Sequence, residues 1–212
     1  IGLPAGFQGA IFSVSNVLIQ SSINSFGSIA MAGSTASANV EGFVYNAMNA
    51  VYQTTLSFTS QNYGAGKMDR VTKILLDCLG LVVLVGVVMG GGAVLLGPKL
   101  LQIYSSDPEV ISYGMMRMRI INGSYFLCGI MDTMVGGLRG LGHSVVPMLV
   151  SLTGACLFRV VWIFSVFAMH RTVTTLYLSY PVSWIITFTA HIICYIVIRR
   201  RMAARRKSRD EI

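Results

Sequence analysis

Residues 46–67 read NAMNAVYQTTLSFTSQNYGAGK, an apolar run that carries amides and then breaks into a Gly-rich basic turn. At about 100° per residue, Asn46, Asn49, Gln53, Ser57 and Ser60 fall within an arc of roughly 80°, one narrow helical face. The other sides of this helix are apolar. Such a helix needs an apolar solvent around most of its perimeter and a polar one along a strip.

The whole chain supplies the apolar setting. Of 212 residues, 54% are hydrophobic and only 11% charged, and the mean hydropathy is +0.67. Soluble domains carry about 25% charged residues, so this composition belongs to a multispanning membrane protein. The chain starts at Ile1, and IGLP leads into an apolar run without a basic n-region or a cleavage site. It reads as the C-terminal part of a longer protein, the alternative being an independent half-size protein whose start is missing. Cys78, Cys128, Cys156 and Cys194 all lie in apolar segments without a CxxC pair, and His143, His170 and His191 are scattered. Small buried hydrophobes fit these cysteines, and neither a disulfide framework nor a metal site is implied.

A membrane span needs about 20 mainly apolar residues. Six candidates appear, at 4–25, 40–61, 73–97, 109–138, 144–169 and 174–198. The predicted fold is all-α, a polytopic membrane bundle of six transmembrane helices over 1–198, followed by a basic tail over 199–212. Pro4 sits where a helix can begin, and Pro98 where one can end. On one side lie Lys67, Arg70, Lys73, Arg139 and the seven basic residues of RRRMAARRKSR; on the other are Lys99 and Arg171. Both ends and the NYGAGKMDR turn are therefore expected in the cytoplasm, with the tail carrying most of that inference. A polybasic run directly after a span fits anionic lipid headgroups; without an aromatic-interleaved basic surface, nucleic acid is not expected as a partner.

Unpaired amides are costly in hydrocarbon, so Asn46, Asn49 and Gln53 must face protein or water. The first span offers a matching strip: Ser13, Asn16, Gln20 and Asn24 also fit about 80° of arc. Each amide alone is accounted for by an interhelical hydrogen bond; the two strips together predict a hydrated cavity. Intramembrane ionisable residues are stronger signals because they must be hydrated or paired. Asp132 lies seven residues before Arg139, about 10 Å from the cytoplasmic end, where it can bind a proton or a cation, transient sodium included, or make a structural hydrogen bond. Glu41 opens the second span at its outer end, where a negative side chain suits a helix N-terminus, and is the second candidate for ion coupling. Arg117, Arg119 and Arg159 fall in the outer halves of their spans. Arg159, inside GACLFRVVWIF, cannot easily snorkel and is a cavity-lining candidate without an assignable charge partner.

The Gly-rich patches carry no nucleotide signature: GLRGLG follows no strand, and YGAGKM lacks the Walker spacing. Gly86 with Gly90, and Gly136 with Gly140, read as close helix packing. Nothing assembles a nucleophile, a base and an oxyanion site, so no enzymatic activity is expected.

Three stretches together resemble the multidrug and toxic compound extrusion (MATE) family: GLPAGFQGAIFSVSNVLIQ, SQNYGAGKMDR and GGLRGLGHSVVPMLVSLTGACLFRVVW. The likeness runs from about residue 2 to residue 198, in the order of that family's C-terminal six-helix lobe. It implies a twelve-helix exporter whose two lobes face one another across a central cavity. The missing partner would be the N-terminal lobe of the same polypeptide, embedded in the cell membrane. Sodium or proton entry would drive alternating access, expelling small organic cations and other amphiphiles without a further cofactor. Two departures stand out. Many relatives carry a Glu midway along the first of these helices, where this chain reads AIFSVS, and an Asp at the position of Cys128. Asp132, one turn later on nearly the same face, would take over the ion site, with Asn16 or Gln53. Three intramembrane arginines against Asp132 and Glu41 suit organic cations poorly, and related flippases move anionic lipid-linked sugars. A third alternative is a non-transporting membrane scaffold whose strips bind partner helices.

Overall fold

A computed structural model describes the chain from residue 2 to residue 210. Six helical rods follow one another through short turns, and no strand occurs among the described residues. The first three are α1, Gly2–Asn24, α2, Ser28–Gly64, and α3, Met68–Gln102. The fourth rod is α4, Pro108–Ile121, continued by a 3-10 turn at Asn122–Ser124 into α5, Tyr125–Gly140. The fifth joins α6, Val145–Ser151, to α7, Phe158–Trp162, with π-helical stretches at Leu152–Leu157 and Ile163–Phe167. The sixth is α8, Val173–Asp210. The all-α membrane bundle is therefore observed, with several bounds corrected.

The second rod starts at Ser28, not near residue 40, so most of the expected connection SFGSIAMAGSTASAN is helix. Its low hydropathy reflects small residues that let backbones approach. Gly33, Ser34, Ala36 and Ser37 are buried, and a Cβ on Gly33 would collide with the Val110 carbonyl of α4. The reversal between α1 and α2 is made by Gly27, whose φ of 97° excludes most other residues. In consequence Glu41 does not open a helix; it lies more than three turns inside one.

The third rod runs past Pro98 to Gln102. One missing N–H near the end of a 35-residue helix is outweighed by packing beyond it, where Leu101 is fully buried. At the far end, α8 continues unbroken across residues 198 and 199, so the expected boundary between lobe and tail is no break in the helix. Arg199 Nη2 donates to the Met68 carbonyl (3.2 Å) and to Thr72 Oγ1 (3.0 Å), which ties this extension to the α2–α3 turn.

Inside the bundle, small residues sit where helices cross. A Cβ on Gly86 would lie 2.7 Å from Phe126 Cα, and one on Gly136 would lie 3.0 Å from the Tyr52 carbonyl, as the glycine pairs predicted. Leu84, Val88 and Leu95 on the opposite face of α3 are exposed, the inside-out pattern of a helix that meets lipid. The larger core gathers Met48, Val82, Met118, Ile121, Tyr177 and Trp184; a smaller one, around Val71, Leu75 and Leu138, lies toward the α2–α3 turn. All four cysteines are free thiols. Met68–Gln102, Val145–Phe167 and Val173–Ala204 are long and apolar enough to cross a membrane by composition alone. The remaining rods carry most of the polar side chains described next.

Candidate functional site

One side of the bundle holds a half-open cavity of about 550 Å³ between α1, α2, α4, α5, α7 and α8. That is the size of small-molecule pockets, which fall at about 300–1,000 Å³. α1 contributes Gln8, Asn16 and Gln20; α2 contributes Glu41, Tyr45, Asn49 and Tyr52. Arg117, Asp132 and Arg139 line it from the fourth rod, and Arg159, Tyr180 and Trp184 from the last two.

Of the residues singled out by sequence, the cavity brings together Asn16, Gln20, Glu41, Asn49, Asp132 and Arg159. Ser13, Asn46 and Gln53 are not among its lining residues. Ser13 is exposed and satisfies its hydroxyl on the Gly9 carbonyl at 3.0 Å, while Asn46 and Gln53 are exposed on α2. The lining face of α2, residues 41, 45, 49 and 52, is rotated by about 80° from the amide strip, with Asn49 at the shared edge. Two tyrosines and a glutamate, with Asn49, make the face where the amide strip is expected.

Glu41 is engaged. Arg117 Nη2 donates to Glu41 Oε2 at 2.7 Å, and Nη1 donates to Ser34 Oγ at 3.1 Å. The Arg117 guanidinium also lies 5.6 Å and 5.9 Å from the centroids of Tyr177 and Tyr180. Among the described residues this is the one ion pair within 4 Å. Arg119, by contrast, is exposed.

Arg139, read from sequence as a loop residue that helps to set topology, is buried, because α5 continues to Gly140. Its Nη1 donates to Tyr52 Oη and its Nη2 to Gln8 Oε1, both at 2.7 Å, linking α5 to α2 and α1. The signal lay in its neighbours: GGLRG surrounds it with glycines that bring backbones together. A Cβ on Gly140 would meet Thr59 Cβ at 2.6 Å, so no loop begins there.

Asp132 lies seven residues before Arg139 on the same face of α5, and both reach the cavity. It makes no hydrogen bond or ion pair with the described residues. A partly buried carboxylate so placed can exchange a proton or a monovalent cation with whatever fills the cavity. No cluster of three His, Cys, Asp or Glu side chains occurs among the described residues, and a tightly held divalent metal calls for several such ligands.

Arg159 occupies the short α-helical segment between the two π-helical stretches, a local irregularity often found at functional sites. It is 3% exposed. Its Nε donates to Ser183 Oγ at 3.0 Å, and its guanidinium stacks 4.1 Å from the Tyr180 centroid and 5.9 Å from that of Trp184. Three guanidiniums and two carboxylates thus line one chamber.

The sequence matches the MatE family over residues 4–165. It is 25% identical, over 151 residues, to a probable multidrug resistance protein NorM of Thermotoga maritima, covering 71% of this chain and 32% of that protein. The fold matches the Vibrio cholerae MATE transporter VcmN in its bent form with a TM-score of 0.83 and 20% identity, over 93% of this chain and 45% of that one. It also matches a MOP superfamily transporter from Pyrococcus furiosus, described as having a binding pocket of reverse polarity that suggests a different function. There the TM-score is 0.84 at 16% identity, over 93% and 44% of the two chains. The chain thus spans less than half the length of these relatives. The apolar bundle and the family match together establish that this membrane protein belongs to the MatE family of multidrug and toxic compound extrusion transporters.

Proposed function

We propose that this chain is the C-terminal lobe of a two-lobed exporter that works by alternating access, and that the cavity is its half of the substrate chamber. The observation that carries this is the cavity itself, a polar chamber walled by an otherwise apolar bundle. A scaffold that only binds neighbouring helices has no need of one. The exposed amides Asn46 and Gln53, beside the cavity edge at Asn49, support a second lobe packed over this face, since lipid would not solvate them. The basic α2–α3 turn and the basic end of α8 lie at the same end of the bundle, as a cytoplasmic face would require.

Sodium or proton entry is assigned to Asp132, the cavity carboxylate that has no partner among the described residues, in preference to Glu41, which Arg117 already neutralises. Export of drugs agrees with the name of the Thermotoga relative, a probable multidrug resistance protein, and organic cations are the drug class this reading takes. The three arginines favour a second reading, movement of anionic amphiphiles, in line with the reversed pocket described for the Pyrococcus relative. Replacing Asp132 by Asn in the full-length protein in vesicles tests the exporter. Uphill transport should stop responding to the ion gradient while exchange down the substrate gradient survives. Gradient-driven transport equal to the unaltered protein's would remove Asp132 from the coupling.

A further inference from the structure

Arg117 has Glu41, and Arg139 has the Tyr52 hydroxyl and the Gln8 amide oxygen. Among the described residues, Arg159 has Ser183, through Nε, and two aromatic rings. Its two Nη groups make no hydrogen bond with the described residues, although the side chain is 3% exposed and lines the cavity. A buried cation without a counter-charge is expensive in a membrane. Holding it there requires fixed geometry: Ser183 fixes Nε, and Tyr180 and Trp184 fix the plane. The edge that remains is the pair of Nη groups, the fork that grips two oxygens of a phosphate or a carboxylate.

We infer that Arg159, shelved on Tyr180 and Trp184, is an anion subsite of the cavity that holds a phosphate-like oxyanion head group of the substrate. This rests on the exporter reading only for the word substrate; the subsite itself is a binding property. The rings that steady the guanidinium give a neighbouring chain or ring of the ligand an apolar surface to lie on. The π-helical stretches on either side of Phe158–Trp162 set the direction in which Arg159 leaves its rod.

The test is equilibrium binding to the purified full-length transporter in an uncharged detergent, by titration calorimetry with octyl phosphate and with octyltrimethylammonium as the matched cation. Octyl phosphate should bind, and Arg159→Gln should weaken it by about tenfold or more, the worth of a lost charge-assisted pair of hydrogen bonds. Arg159→Lys, which keeps the charge without the fork, should fall between the two. Octyltrimethylammonium binding should not weaken in either variant. Competition by inorganic phosphate at equal concentration would identify a free oxyanion as sufficient; its failure to compete would identify an amphiphile, and either supports the subsite. Equal octyl phosphate affinity in the unaltered protein and Arg159→Gln overturns it. So does equal weakening of both ligands in Arg159→Lys, the sign of a merely structural arginine. Arg159-dependent binding without any vesicle transport would reject the exporter and keep the subsite. Gradient-driven cation export indifferent to Arg159→Gln, with no loss of octyl phosphate binding, would reject the subsite and keep the exporter.

Discussion

Arg117 and Glu41 meet at 2.7 Å between α4 and α2, 76 residues apart in sequence, inside the wall of the cavity. The pair removes one acid and one base from the chamber's free charge. Among the described residues, this leaves Asp132 as the cavity carboxylate without a hydrogen bond or ion pair, and Arg159 as the cavity guanidinium whose Nη groups make none.

Removing one partner of such a pair should be costly, because the other stays buried. Glu41→Gln should destabilise the full-length protein by about 3–5 kcal/mol, seen as a lowered Tm in detergent. The double change Glu41→Gln with Arg117→Met should recover most of that loss. A double variant no more stable than the single one would show that the pair is not what holds α2 to α4.

The Tyr52–Arg139–Gln8 link makes a different demand. Tyr52→Phe deletes one acceptor and leaves a charged donor unsatisfied, a loss of about 1.5–3 kcal/mol. A double-mutant cycle with Arg139→Met should return a coupling energy of at least about 0.5 kcal/mol. Additive effects would mean that the two side chains act independently.

Helix crossing predicts a contrast between neighbouring glycines. At Gly90 a Cβ would collide with the Asn122 carbonyl, whereas at Gly91 it would meet nothing within 4 Å. Gly90→Ala should lower stability by about 1–3 kcal/mol, while Gly91→Ala should leave it unchanged or raise it by up to about 1 kcal/mol. Equal effects at both positions would contradict the packing.

Topology is open to labelling. In a cysteine-free full-length protein, Ala65→Cys should react with a membrane-impermeant maleimide only after permeabilisation, and Ser106→Cys should react in intact cells. The reverse pattern would invert the proposed orientation.

Much of the fold could be read from the chain. Runs of about 20 apolar residues announce helices in lipid because nothing else satisfies the backbone there. The glycine spacings at 86 and 90 announced close contacts, and Gly86 does abut Phe126. The start of α2 was misplaced because small residues lower hydropathy as loop residues do, yet Gly33 is what lets α2 touch α4. In the site, Asp132 and Arg159 were found because ionisable groups are rare inside spans. Arg139 was misassigned because its helix ends one residue later than charge alone suggests a loop to begin.

Amino-acid order alone determined six membrane helices, a polar side to the first two, and a few charges that lipid would not tolerate, since hydropathy and periodicity are local properties. Tertiary structure decided which of those charges are satisfied. Glu41 acquires Arg117 from 76 residues away, and Gln8 acquires Arg139 from 131 residues away. The cavity-facing phase of α2, turned by about 80° from its amides, was likewise settled by packing. A helix's rotation about its own axis depends on the shapes of its neighbours, and those shapes belong to distant segments of the chain.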